Sequence, residues 1–240
     1  MFIRGMRSIL RSVAAPNPNR APRWPVGVAG AAHGSREGSG GRATVPDHVL
    51  VFYGSYRAKR VGIRMATFVV NELRARGALP ELIDAREIGL PIIDRMYKEY
   101  PKGSAPPAME DLARKIRAAD AFVFVAGEYN WGPQPGLKNL TDHFLEEWFW
   151  RPAAIVSYSP GRLAGARGGA AWHPILSEMG MVVVPSTVAV GLIAQTLDAQ
   201  GEPIGEAGRL AQAALHRLAD DLAWWAAAAR NQRLQPPPPY

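Results

Sequence analysis

The segment GSYRAKR at residues 54–60 combines residue types that suit the binding of an anion. Gly54 and Ser55 are small, and at a turn from strand to helix they let backbone N–H groups face an anion at the positive helix end. Arg57 and Arg60 add guanidinium groups, each able to donate two hydrogen bonds to a phosphate monoester. The segment predicts a phosphate site. An ordinary turn with solvated basic side chains is the alternative.

A second segment, GEYNWGPQPGLKN at residues 127–139, is rich in aromatic residues, glycine and proline. Tyr129 and Trp131 offer flat apolar faces beside the amide of Asn130, and Pro135 can begin the next helix. Such a surface suits a flat heteroaromatic ring with hydrogen-bonding edges. Alternatively, the two aromatic side chains pack the loop itself or a subunit interface.

Several other kinds of site are not supported. The chain has no cysteine, which excludes disulfides, a thiol nucleophile and thiolate metal ligands, so redox chemistry needs a cofactor. The five histidines form no ligand-spaced cluster, and no metal is expected. Neither the P-loop pattern G-x-x-x-x-G-K-[ST] nor a G-x-G-x-x-G after the first strand is present.

Short apolar runs alternate with helical segments from His48 onward. Strands are predicted at residues 48–54, 80–84, 121–126, 153–157 and 181–190, and helices at 61–76, 108–119, 136–150, 170–179 and 206–233. This alternation favours an α/β fold, a flavodoxin-like doubly wound five-stranded parallel sheet of order 2-1-3-4-5. Ligands bind at the carboxyl ends of such strands, which would bring the two segments together.

The chain ends differ from this domain in composition. Residues 1–46 hold seven arginines and one acid, and a disordered basic extension is predicted, with residues 47–234 as the domain and 235–240 as a Pro-rich tail. Residues 1–13 faintly resemble a mitochondrial transit peptide. The remaining 21 basic and 20 acidic side chains nearly balance, so no nucleic-acid binding is expected, although the seven arginines of residues 1–46 leave a nucleic-acid or membrane-surface role open. No apolar run could span a bilayer, and a soluble cytoplasmic protein is predicted.

Three motifs together resemble one known family. They are Gly54-Ser55-x-Arg57, Glu128-Tyr129-Asn130 and Pro135-Gly136-Leu137-Lys138-Asn139-x-x-Asp142. In this order, within residues 48–205, they resemble the NADPH-dependent FMN reductase family, which includes quinone, azo-dye and chromate reductases. The resemblance implies FMN as cofactor, NADPH or NADH as electron donor and a small-molecule acceptor, with no obligatory catalytic side chain.

The resemblance also implies which residues contact the cofactor. They are Ser55, Arg57, Arg60 and Gly62 around the phosphate, Glu128, Tyr129, Asn130 and Trp131 along the isoalloxazine, and Ser159 in a third loop. Arg60 and Gly62 replace the Ser and Asn usual in the family, and Gly127 replaces the usual Pro. The phosphate site is therefore expected to be more electrostatic and less rich in hydroxyl groups.

The function implied is an FMN-dependent NAD(P)H oxidoreductase that reduces quinones or flavins by hydride transfer. A non-enzymatic flavodoxin-like electron carrier is the alternative, although such carriers are usually strongly acidic. The aromatic residues 144–150 favour a homodimer or homotetramer, and burial within one subunit explains them equally well. Asp142 is expected to cap a helix or pair with a lysine.

Overall fold

A computed structural model describes residues 48–235. The predicted disordered extension, residues 1–46, lies outside the described residues, as do residues 236–240 of the Pro-rich tail. The strands are β1 His48–Tyr53, β2 Leu79–Asp84, β3 Ala121–Tyr129, β4 Gly132–Pro133, β5 Pro152–Tyr158 and β6 Val182–Val190. The helices are α1 Ile63–Ala75, α2 Ala85–Ile88, α3 Pro107–Ala118, α4 Pro135–Asp142, α5 Ala166–Glu178, α6 Ile193–Thr196 and α7 Gly205–Arg233, with 3₁₀ turns at Tyr97–Glu99 and Glu146–Trp148.

Five parallel strands form the sheet in the order β2-β1-β3-β5-β6. The sixth strand, β4, is a two-residue arm that pairs antiparallel with the end of β3. With β4 set apart, this is the predicted order 2-1-3-4-5, and the predicted flavodoxin-like fold is confirmed. The central strands β1, β3 and β5 are buried on both faces, which explains their nearly continuous apolar sequences.

Helices cover both faces of the sheet. Alternate residues of a strand point to opposite faces, so Val49 and Val51 pack with α1 and α7, whereas Leu50 and Phe52 pack with α3, α4 and α5. This double cover leaves the loops at the carboxyl ends of the strands as the place for a ligand. No helix within residues 48–235 is both long and apolar enough to cross a bilayer.

The predicted helix over residues 136–150 was too long. It ends at Asp142, because the indole N–H of Trp148 turns back and donates to the carbonyls of Thr141 and Phe144. Phe144 and Trp148 are buried in the core, where Trp148 meets Phe52 edge-on at 5.2 Å between ring centroids. Burial within one chain therefore accounts for Phe144 and Trp148, and the homodimer or homotetramer stays a prediction.

Two other differences concern short or glycine-rich segments. Helix α5 begins at Ala166, four residues before the predicted start, because glycines at its beginning weakened the helical pattern. The four-residue helices α2 and α6 are too short to show a helical period.

The predicted lysine partner of Asp142 is confirmed, since Lys138 forms an ion pair with it one turn away.

Candidate functional site

Three loops meet at the carboxyl edge of the sheet, following β1, β3 and β5. Between them lies a cavity of about 330 Å³, a size in the range of ligand pockets. Seven of the nine predicted site residues line it: Ser55, Arg57, Arg60, Gly62, Glu128, Tyr129 and Ser159. Asn130 and Trp131 lie just beyond, in the turn that joins β3 to β4.

The basic residues of the first loop fall into two groups. Arg57 and Lys59 line the cavity with exposed side chains that form no hydrogen bond or ion pair within residues 48–235. The Arg60 guanidinium instead pairs with Asp84 at 2.6 Å and with Glu87 at 3.2 Å. Two cations are therefore available to a ligand phosphate, and one of them, Lys59, was not predicted as a site residue.

A buried hydrogen-bonded pair, Gln134 and Tyr158, forms the floor of the cavity. The Gln134 side-chain amide donates to the Tyr158 hydroxyl at 2.9 Å and accepts from the backbone N–H of Gly127 at 3.0 Å. The Tyr158 ring lies against Gly62, where an added Cβ would be only 2.0 Å from Cζ of the ring. Neither Gln134 nor Tyr158 was predicted as a site residue, although an amide between two prolines is a signal that could have pointed to Gln134.

The tyrosine hydroxyls beneath the cavity have unused hydrogen-bonding capacity. Burial, with the neighbouring Tyr53 as a smaller cause, raises the pKa of Tyr158, so its hydroxyl keeps its proton at neutral pH. Because that hydroxyl accepts from Gln134, its own proton can be donated elsewhere. The Tyr53 hydroxyl is buried and has no hydrogen-bond partner in the described part of the chain. The proton of Tyr158 can therefore go to the neighbouring Tyr53 hydroxyl or to a polar ligand in the cavity.

A second cavity of about 580 Å³ shares Arg57 and Tyr129 with the first. Its walls are mainly apolar and include Leu90 and Ile92. The Asn139 side chain fixes that wall, because it accepts from the N–H of Ile93 at 2.9 Å and donates to the carbonyl of Pro91 at 2.8 Å. A cavity with charged and polar side chains in its lining thus adjoins a more strongly apolar one.

Glu128 connects the β3 loop to helix α5. Its carboxylate accepts the backbone N–H groups of Arg167 and Gly168, each at 3.1 Å, and pairs with the Arg167 guanidinium at 2.7 Å. Burial opposes ionisation of this carboxyl, but the N–H of Gly168 and the charge of Arg167 outweigh it, and the pKa of Glu128 lies below its ordinary value. All of these contacts of the Glu128 carboxylate are therefore with the first turn of α5.

Glu128→Gln is expected to lower the free energy of unfolding by about 1 to 2 kcal/mol at neutral pH, because it removes charge-assisted hydrogen bonds. Since the folded-state pKa of Glu128 is depressed, the stabilisation is present above the unfolded pKa and is lost as pH falls through the folded one. Urea unfolding of both proteins at several pH values between neutral and acidic tests this. A stability difference that does not shrink at acidic pH would contradict the role of the charge.

The choice of site depends on position in the fold, since a larger cavity of about 1,250 Å³ lies elsewhere, beside α3. Four of its eight charged side chains already pair with each other, Arg114 with Asp111 and Arg117 with Glu147. It also lies away from the carboxyl edge of the sheet. Within residues 48–235, no three His, Asp or Glu side chains are placed to hold a metal ion.

Comparison with known proteins identifies the family of this chain. Residues 48–195 match the family described as NADPH-dependent FMN reductase, which is more than half of the 240-residue chain. The chain belongs to this family. The NADPH-dependent FMN reductase family uses FMN with NAD(P)H as electron donor, so membership confirms the resemblance seen in the sequence and the expected oxidoreductase class.

Individual relatives of this FMN reductase family member carry names that fit the family. The NAD(P)H-dependent FMN reductase LOT6 of Saccharomyces cerevisiae is 31% identical over 147 residues, which cover 55% of this chain and 72% of the yeast protein. A quinone reductase of Pseudomonas putida is 29% identical over 123 residues, or 49% of this chain and 62% of that protein.

A solved structure confirms the fold. The flavoenzyme FerB, an NAD(P)H:acceptor oxidoreductase from Paracoccus denitrificans, superposes with a TM-score of 0.57 at 21% identity, covering 73% of this chain and 97% of that one. At this identity the likeness concerns the fold alone.

Proposed function

We propose that this chain binds FMN between its three loops and uses NAD(P)H to reduce small acceptors, such as quinones or flavins, by hydride transfer through FMN. The observation that carries the proposal is the pair of cations Arg57 and Lys59, which line the cavity and have no ion-pair or hydrogen-bond partner among residues 48–235. They lie in the loop that leads into α1, whose positive end also favours a phosphate.

The residues present fit the cofactor. Arg57, Lys59 and the Ser55 hydroxyl would hold the phosphate, and the Tyr158 hydroxyl has a proton to donate to a polar group in the cavity. Tyr129 lines both cavities and would border the flat ring, beside the backbone of Asn130.

Other residues act by positioning these groups. Arg60, paired with Asp84, ties the first loop to the end of β2, and Gln134 ties the β3 loop to β5 through Tyr158. The chemistry that FMN supplies when bound is two-electron transfer from NAD(P)H to an oxidised acceptor. The chain's own contribution is to bind and orient the ring and to leave one side open for the two substrates in turn.

The test begins with the visible absorption spectrum of the purified protein and a titration of the apoprotein with FMN. Nicotinamide absorbance is then followed with NADPH and, separately, NADH, in the presence of menadione or free flavin. Stoichiometric FMN binding with acceptor-dependent NAD(P)H oxidation is expected. Binding without turnover would favour the electron-carrier alternative, and well-folded protein that shows neither would refute the proposal.

A further inference from the structure

The turn between β3 and β4 holds a large aromatic side chain in an unfavourable backbone conformation. Asn130 and Trp131 are its two central residues, with φ of +50° and +70°. Two positive φ values define a type I′ hairpin turn, which Asn accepts readily and a bulky residue such as Trp rarely does. Trp131 is nevertheless 69% exposed. Burial of the indole in the core therefore does not explain the strain.

Interactions with helix α5 hold this turn in place. The Arg167 guanidinium lies 4.3 Å from the centroid of the Trp131 indole and also pairs with Glu128 at 2.7 Å. Gly168 lets the helix approach the turn, because an added Cβ would lie 3.0 Å from Cα of Glu128 and 3.1 Å from the carbonyl oxygen of Gly132. One face of the indole is thus covered by a cation, and most of the ring is open to solvent.

Strain of this kind persists where surrounding contacts over-determine it, and it clusters at functional sites. Tyr129, two residues before Trp131, lines both cavities at the carboxyl edge. The exposed indole therefore stands beside the proposed cofactor site, outside the lining of the cavity itself. This is the position that a second, exchangeable ligand needs.

We propose that the stacked Trp131 indole and Arg167 guanidinium form a platform that selects planar acceptors over compact, non-planar ones. The proposal rests on the proposed function, since it places the acceptor beside bound FMN. A flat quinone can stack on the open face of the indole, whereas an octahedral metal cyanide cannot. Glu128 is a positioning residue here, because its carboxylate sets where Arg167 lies and, through Arg167, where the indole lies.

The experiment compares two acceptors of different shape, menadione and ferricyanide, in FMN-loaded protein with NADPH as donor. Trp131→Ala is expected to lower the ratio of kcat/KM for menadione to kcat/KM for ferricyanide by about fivefold to tenfold. The loss should fall mainly in KM for menadione, because stacking binds the acceptor before electron transfer. Trp131→Phe should restore part of the ratio, and Arg167→Ala should lower it less than Trp131→Ala does.

Trp224 provides a matched control, since it is 61% exposed and lies on α7. Trp224→Ala should keep the wild-type ratio. Glu128→Gln should shift the ratio in the same direction as Arg167→Ala, which a purely structural role would not require, because lost stability alone affects both acceptors alike.

Two kinds of failure can be told apart. An unchanged acceptor ratio in active, FMN-loaded Trp131→Ala protein would overturn the platform and leave the proposed function standing. Loss of FMN from the same variant would also overturn it, because the indole would then be a wall of the cofactor site. A wild-type protein with no FMN-dependent turnover would overturn the proposed function and the platform with it.

Discussion

Arg57→Ala is expected to weaken FMN binding roughly tenfold to a hundredfold while leaving the affinity for riboflavin almost unchanged. Arg57 lines the cavity two residues after Ser55, and its guanidinium has no partner within residues 48–235. A phosphate carries up to about two negative charges at neutral pH, so the variant loses a charge-assisted hydrogen bond of about 1.5 to 3 kcal/mol. Riboflavin has the same ring without the phosphate. Fluorescence titration of the apoprotein with each flavin measures both affinities.

Arg60→Ala is the matched control for Arg57→Ala, because Arg60 carries the same charge three residues away but is already paired with Asp84 and Glu87. The Asp84 side chain is only 7% exposed, so removing Arg60 leaves a nearly buried carboxylate that keeps the hydrogen bond from the backbone N–H of Arg86 but loses its cation. The control should lose about 1 to 3 kcal/mol of unfolding free energy and less FMN affinity than Arg57→Ala. Equal losses of FMN and riboflavin affinity in Arg57→Ala would refute its assignment to the phosphate.

Lys59→Ala tests the other cation of this loop that has no partner in the described part of the chain. Its ammonium is a flexible point charge, whereas the guanidinium of Arg57 is a rigid fork that can bind two phosphate oxygens. We therefore expect a smaller loss of FMN affinity than for Arg57→Ala, and a loss that disappears sooner as salt is added.

The fold could be predicted from the sequence because its strands are short, apolar and separated by helical periods. The strands β1, β3 and β5 were found within three residues at each end, since burial on both faces makes them continuous apolar runs. The aromatic segment after α4 was misjudged because periodicity cannot show that Trp148 folds back onto the helix end. That contact depends on tertiary packing.

The candidate site was predictable where its residues lie together in one loop, as in the first loop, whose predicted residues all line the cavity. It was less predictable where two distant segments must meet. Arg60 and Arg57 look alike in sequence, and only the pairing of β1 with β2 brings Asp84 to Arg60. Likewise, Glu128 was placed along the flavin by resemblance, whereas its carboxylate binds the start of α5, some 40 residues further along the chain.

Gly62, which the resemblance marked as a departure from the family pattern, also depends on contacts between distant segments. The structure supplies a physical reason for the glycine, because the Tyr158 ring occupies the space that a side chain at residue 62 would need. Tyr158 in turn holds Gln134, and Gln134 holds the N–H of Gly127. A small residue in the first loop is therefore required by the floor that joins the other two loops.

Gly62→Ala is accordingly expected to lower the free energy of unfolding by about 1 to 3 kcal/mol and to weaken FMN binding about tenfold or more. The added Cβ would lie 2.0 Å from Cζ and 2.2 Å from the hydroxyl oxygen of Tyr158, so the ring must move. Its movement would break the hydrogen bond to Gln134 and distort the cavity floor. Urea unfolding and FMN titration measure the two effects.

A double-mutant cycle with Tyr158→Ala separates this clash from a general loss of backbone freedom. If the ring is the cause, Gly62→Ala should cost much less in the Tyr158→Ala background than in the wild type, with a coupling of about 1 kcal/mol or more. Gly161→Ala is the control within the third loop, because a Cβ there meets nothing closer than the Ser159 hydroxyl oxygen at 3.9 Å. It should leave stability and FMN affinity nearly unchanged. The same cost for Gly62→Ala in both backgrounds would show that Tyr158 does not set the size limit at residue 62.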